Sequence, residues 1–174
     1  MLYILFNILF NEYILLFAVS GCDSTSAFYG KGKAKSFQVM KKRPEFLQAF
    51  GQLGSSFHLQ EDTFKWLRRF VCHLYGYDGV DDVNATRYPI FKKGKFSEEL
   101  LPPTEDVLLL HIRRSNYQAY IWRHSMENFL DMPDPRIHGW VFDTPNDALE
   151  VKWMSLLLAP DSILCFINCS CAKG

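Results

Sequence analysis

No lysine or arginine occurs before Lys31 in this 174-residue chain, so the basic start of a secretory signal is missing. Acids are equally scarce there: Glu12 and Asp23 are the only carboxylates before Glu45. Net charge of one sign is also lacking, with 19 Lys and Arg against 19 Asp and Glu. The chain is therefore no polycation, and affinity for nucleic acid must come from local clustering. Five cysteines, an odd number, have a spacing that does not suggest a disulfide framework. What the chain does have is material for a core, at 48% hydrophobic and 16% aromatic residues with 22% charged. That composition excludes wholesale disorder and suits one medium domain or two small ones.

Sixteen of the first nineteen residues are apolar, interrupted only by Asn7, Asn11 and Glu12. Three readings of this run stay open. A membrane span needs about 20 largely uncharged residues, and Glu12 stands in the middle. A secretory or anchoring signal gains some support from Val19-Ser20-Gly21-Cys22, which resembles a lipoprotein cleavage box. A buried core helix is favoured, because Asn7, Asn11 and Glu12 share one helical side.

Gly21 then ends the helix, since glycine adopts the left-handed conformation cheaply. Asp23 or Ser24 is expected to cap a short second helix. Gly30-Lys31-Gly32 makes a tight turn, and a third helix begins near Lys33. From Lys31 to Arg43 the chain carries Lys31, Lys33, Lys35, Lys41, Lys42 and Arg43 and no acid. Exposed amides at a helix start attract phosphate, and these cations would add to the attraction.

The spacing Gly21-x-Asp23, six residues, Gly30-x-Gly32 and then basic residues resembles the flap-endonuclease branch of the PIN-like nucleases. A closer resemblance is to a group of uncharacterised, mobile-element-associated animal proteins. It is carried by 20–33, 70–76, 101–104, by His111-Ile112-Arg113-Arg114-Ser115-Asn116-Tyr117-Gln118-Ala119, and by His138-Gly139-Trp140. The resemblance implies that Asp23 is a ligand in a carboxylate cluster for Mg²⁺ or Mn²⁺. It also implies that Gly30 and Gly32 form the hairpin of a helix–hairpin–helix that grips DNA phosphates. Such proteins carry a PIN-like core upstream and a Cys-rich tail downstream. Here no Asp-x-Asp segment precedes Asp23, and the sequence stops soon after Cys165, Cys169 and Cys171. Phosphodiester hydrolysis with divalent ions needs several carboxylates. The expectation is thus a truncated or degenerate nuclease-like protein, inactive alone, that retains non-specific DNA binding. Asp23 is the catalytic and metal remnant. Gly30, Lys31, Gly32, Lys33, Lys35, Lys41, Lys42 and Arg43 are the nucleic-acid contacts. The alternatives are a metal-dependent nuclease completed by an upstream nuclease-core polypeptide, and a membrane-anchored or secreted protein addressed through residues 1–21. The first two readings place the chain in nucleus or cytoplasm, and a membrane is the less favoured partner.

Further along, Pro44 opens a helix through Phe50, and a second starts at Asp62 or Thr63 and stops at Gly76. Trp66, Leu67, Phe70, Val71, Leu74 and Tyr75 form its apolar face, with Lys65, Arg68 and Arg69 read as solvated. Residues 76–103 read as irregular, from Asp81, Asp82, Gly94, Pro102 and Pro103. Thr104 caps a long helix expected over 105–129. It carries His111, Arg113, Arg114, Tyr117, Gln118, Trp122, Arg123 and His124. Those residues either hold a nucleic-acid backbone, or the aromatics pack inward and the arginines stay wet. Val141-Phe142, 149–153 and 163–167 read as short strands, with Asp143, Asp147 and Glu150 in turns and on the surface. Cys165, Cys169 and Cys171 supply three thiols where a closed zinc site wants four ligands. The whole is a mainly α fold with a helix–hairpin–helix near the N-terminus, a long helix near 105–129 and a small β patch in the last third. Its expected parts are 1–43, 44–130 and 131–174.

Overall fold

The computed structural model describes residues 13–93 and 98–156. The chain is mainly helical, with a two-stranded antiparallel sheet late in the sequence. Helix α1 covers 13–20 of the described residues. It is followed by α2 (Lys33–Met40), α3 (Pro44–Gln52), α4 (Glu61–Leu74), α5 (Val83–Lys92) and α6 (Glu105–Arg123). Short 3-10 turns lie at Glu98–Leu100 and Pro135–His138, and strands β1 (Trp140–Asp143) and β2 (Ala148–Val151) pair in a hairpin with Trp140 opposite Val151. Expectations that fall at 1–12, 94–97 or 157–174, including the turn at Gly94, the strand at 163–167 and the three terminal cysteines, lie outside the described residues.

One cluster joins α1 through α6. Leu15, Leu16 and Val19 of α1 are buried with Phe46 and Phe50 of α3, with Leu67 and Phe70 of α4, and with Leu108 and Ile112 of α6. Phe46 and Phe50 meet Phe70 edge to face, with centroids 5.6 and 5.0 Å apart, the arrangement that the aromatic quadrupole favours. From residue 13 onward, then, the N-terminal apolar run is a core helix. Among the described residues no helix is long and apolar enough to cross a membrane.

Local signals place most helix starts. Pro44 occupies the first turn of α3, and the Thr104 side chain accepts from the Val107 N–H at 3.4 Å to cap α6. Glu61 and Asp62 sit in the first turn of α4, where the helix dipole favours acids.

Four expectations are corrected. No short helix follows Asp23: Cys22 and Thr25 exchange backbone hydrogen bonds at 3.3 and 3.2 Å across a tight turn. Residues 83–92, read as irregular, form α5. The Asp82 carboxylate caps it by accepting from the Asn84 N–H at 2.7 Å, and Val83, Thr86 and Ile90 bury one face. That burial outweighs the backbone hydrogen bond lost at Pro89. α6 stops at Arg123, short of 129. Its end is pinned by Arg123, which donates to the carbonyls of Leu53 and Gly51 at 2.7 and 2.6 Å. Beyond it Met126 and Phe129 are exposed and offer no buried face to extend the helix. Arg68 and Arg69 are half-buried rather than solvated. They pair with Glu105 at 2.5 Å and Asp81 at 3.1 Å, tying α4 to α6 and to the loop before α5.

Candidate nucleic-acid interface

The segment between α1 and α2 is built on a problem of helix chemistry. The last carbonyls of any helix have no partner within it. In α1 they are met by side chains from three places. The Thr25 and Ser115 hydroxyls both donate to the Ala18 carbonyl at 2.8 Å. His111 Nε2 donates to the Val19 carbonyl at 2.8 Å, and the Lys33 ammonium donates to the Gly21 carbonyl at 3.1 Å. Gly21 leaves the helix at φ +109, where a Cβ would lie 2.6 Å from that of Ala27. A side chain fits neither the angle nor the space.

His111, Ser115 and Gln118 stand at spacings of four and three, so they share one face of α6. Gln118 Oε1 accepts from the Ser24 hydroxyl at 2.5 Å, and the Ser26 hydroxyl lies 3.2 Å from His111 Nδ1. That face holds the Gly-Cys-Asp loop in place. Burial pushes the His111 imidazole down to about 4, against the backbone hydrogen bond that raises it, so the ring is neutral at physiological pH. A neutral ring donating from Nε2 accepts at Nδ1, which fits the Ser26 hydroxyl. Read from the sequence, Ser115, His111 and Gln118 had no part in holding the loop. The only signal for them was their shared face on a helix already expected.

Asp23 is exposed on the rim of an open groove of about 720 Å³. Ile14, Phe17, Cys22, Ser24, Lys33 and Trp122 contribute to its walls. The Cys22 thiol lies 3.1 Å from Thr25 Oγ1 and 3.4 Å from Ser24 Oγ. Its acidity reflects burial, which raises the pKa, and these hydrogen bonds, which bring it out below the ordinary value. Among the described residues no three His, Cys, Asp or Glu side chains come together, and a cation, Lys33, lines the same groove. Asp23 is the carboxylate that lines this groove, so a Mg²⁺ or Mn²⁺ held there would take its remaining oxygen ligands from elsewhere.

Gly30 adopts φ +67 as the third residue of a turn over Phe28–Lys31, closed by the Lys31 N–H donating to the Phe28 carbonyl at 3.0 Å. Gly30 and Gly32 are both exposed, and a Cβ at Gly32 would meet nothing within 4 Å. Gly32 is the N-cap of α2 and supplies no side-chain cap; no acid occupies the first turn. The first amides of α2 therefore open outward beside Lys31, Lys33 and Lys35.

The six cations fall into two groups. Lys31, Lys33 and Lys35 surround the N-terminus of α2, while Lys41, Lys42 and Arg43 lie at its far end, about 12 Å along an eight-residue helix. Lys31 is partly buried with its ammonium 4.4 Å over the Tyr75 ring. Burial, and then the charge of Lys35, hold it below the ordinary lysine range. Lys33 is exposed, 5.5 Å over Phe17, and Lys41 lies 5.1 Å over Phe37. Lys35 and Lys42 are exposed and Arg43 is half-buried.

The long helix divides its own residues. Arg113 is exposed, Tyr117 is buried, and Arg114 is fully buried. Arg114 donates to the Gly139 and Lys152 carbonyls, both at 2.9 Å, so it fastens the hairpin rather than facing solvent. His124 stacks on Tyr120 at 3.9 Å.

The fold and this loop define a small, mainly helical protein with an exposed, cation-flanked start to α2. The chain matches no protein-family model, no curated protein and no solved structure.

Proposed function

We propose that this chain binds nucleic acid without reading its sequence, as the phosphate-gripping half of a nuclease-like unit of mobile-element origin. The first α2 amides, approached past the exposed Gly30 and Gly32, receive one phosphate. Lys33 and Lys35 flank it, and Lys41, Lys42 and Arg43 extend the contact along the backbone. The observation that carries this reading is the uncapped, exposed start of α2, which lies within the stretch from Lys31 to Arg43 that holds six cations and no acid. An ammonium has three donors, so Lys33 can keep Gly21 and still reach a phosphate oxygen.

Fluorescence anisotropy with labelled duplex DNA over a salt series tests it. Contacts to four to six phosphates give a log–log slope of about −4 to −5. Lys33→Ala with Lys35→Ala should weaken binding to all sequences alike and reduce the slope by about 1 per lysine. A salt-independent signal, or none at low salt, removes the reading.

A further inference from the structure

Tyr88 and Phe91 are 67% and 70% exposed on α5. The helix buries Val83, Thr86 and Ile90. Asn84, Arg87, Tyr88 and Phe91 recur at spacings of three and four on another face and, with Leu101, line an open groove of about 420 Å³. Among the described residues these two large rings share one helical face and bury little surface, an exposed apolar patch of the kind that marks an interaction site.

The charge around them selects the ligand. From Val83 to Lys93 the chain carries Arg87, Lys92 and Lys93 and no acid. Lys92 and Lys93 are exposed, as is Glu99 on the neighbouring 3-10 turn; Asp81 and Asp82 lie at the opposite end of α5. Arg87 is anchored by donation to the Pro102 carbonyl. The groove also adjoins the Gly-Lys-Gly turn. Leu101 lines the groove, and its neighbour Leu100 places Cδ2 3.9 Å from where a Cβ on Gly30 would stand.

We infer that α5 is a base-stacking platform for single-stranded nucleic acid, with bases on Tyr88 and Phe91 and phosphates on Lys92, Lys93 and Lys31. This rests on the proposed function, and it adds a ligand class. Every base has a π-face, so stacking tolerates any sequence, whereas the bases of a duplex are already stacked on one another. A lipid surface also takes aromatic and cationic side chains. It needs a continuous apolar stripe, however, and Asn84 and Arg87 interrupt this face.

The test uses the full chain, a labelled oligothymidylate and a duplex of equal length. Tyr88→Ala with Phe91→Ala should lower affinity for the oligothymidylate about tenfold or more and for the duplex less than about threefold. Tyr88→Phe with Phe91→Tyr should restore the single-strand affinity, since both rings survive. Equal losses on the two ligands, no loss on the oligothymidylate, or no oligothymidylate binding by the unaltered chain would overturn the platform. Ring-dependent binding to phosphatidylserine vesicles, without oligothymidylate binding, would overturn it in favour of a membrane. Loss of the salt-dependent duplex signal alone would fall on the proposed function, while the oligothymidylate comparison still decides the platform.

Discussion

His111 Nε2 and the Val19 carbonyl oxygen are 2.8 Å apart across 92 residues of sequence, inside the protein. The pair couples α6 to the end of α1 and makes stability depend on pH. The folded ring is pushed down to about 4 from an ordinary 6.5, so between these values the unfolded chain binds the extra proton. Stability is therefore full above pH 6.5 and falls as pH drops toward 4, by about 3 kcal/mol from this residue. Burial lowers His73 and His138 as well, with the same sign. Urea midpoints measured from about pH 7.5 to about pH 4.5 should show that loss, and His111→Gln should flatten it by His111's share.

Arg114 is the buried fastener of the hairpin. Burial pulls its guanidinium down to about 10, yet it satisfies the carbonyls of Gly139 and Lys152. Arg114→Met keeps most of the volume, leaves the Gly139 carbonyl with the Lys152 N–H alone and strands the Lys152 carbonyl, at a cost of about 1–3 kcal/mol. Hydrogen exchange at the Lys152 N–H, which donates to Gly139 at 3.0 Å, should accelerate well beyond exchange in α4.

Two glycines of the loop should respond oppositely to alanine. Gly21→Ala meets Ala27 at 2.6 Å in a left-handed backbone and should destabilise by about 2–4 kcal/mol. Gly32→Ala, at φ −66 and in open space, should cost less than about 1 kcal/mol. It should still weaken duplex binding, because the methyl group stands where a phosphate must approach the amides. Thermal melts and anisotropy on the same samples separate the two effects.

Asp23 lines the groove beside Lys33. In a phosphate-binding surface its carboxylate only repels, so Asp23→Asn should leave DNA affinity unchanged or raise it up to about threefold. A loss of affinity that depends on added Mn²⁺ would instead assign Asp23 to a metal site completed by another chain.

Elements defined by nearby residues were legible. Pro44 and Thr104 announced α3 and α6, Gly21 the end of α1, and the alternation at 149–153 the second strand. α5 was hidden because Asp81, Asp82, Gly94, Pro102 and Pro103 carry turn chemistry, and because Pro89 argues against a helix. Only the burial of Val83, Thr86 and Ile90 decides it. Of the candidate site, the basic run was readable, while the hydrogen-bonded turn lies earlier than expected, over Phe28–Lys31. The split of the cations between the two ends of α2, and the service of Lys33 to Gly21, were not readable.

Taken alone, the sequence determined the starts of α3 and α6, the end of α1, the neutral overall charge and the basic stretch from Lys31 to Arg43. Caps, prolines and periodicity act within a few residues, so they can be read along the chain. Tertiary structure alone decided which face of α6 holds the α1 carbonyls, that Arg114 turns inward while Arg113 stays wet, and that Tyr88 and Phe91 stay out. Those outcomes depend on partners as far as 97 residues away and on which surfaces remain to be covered once the core has closed.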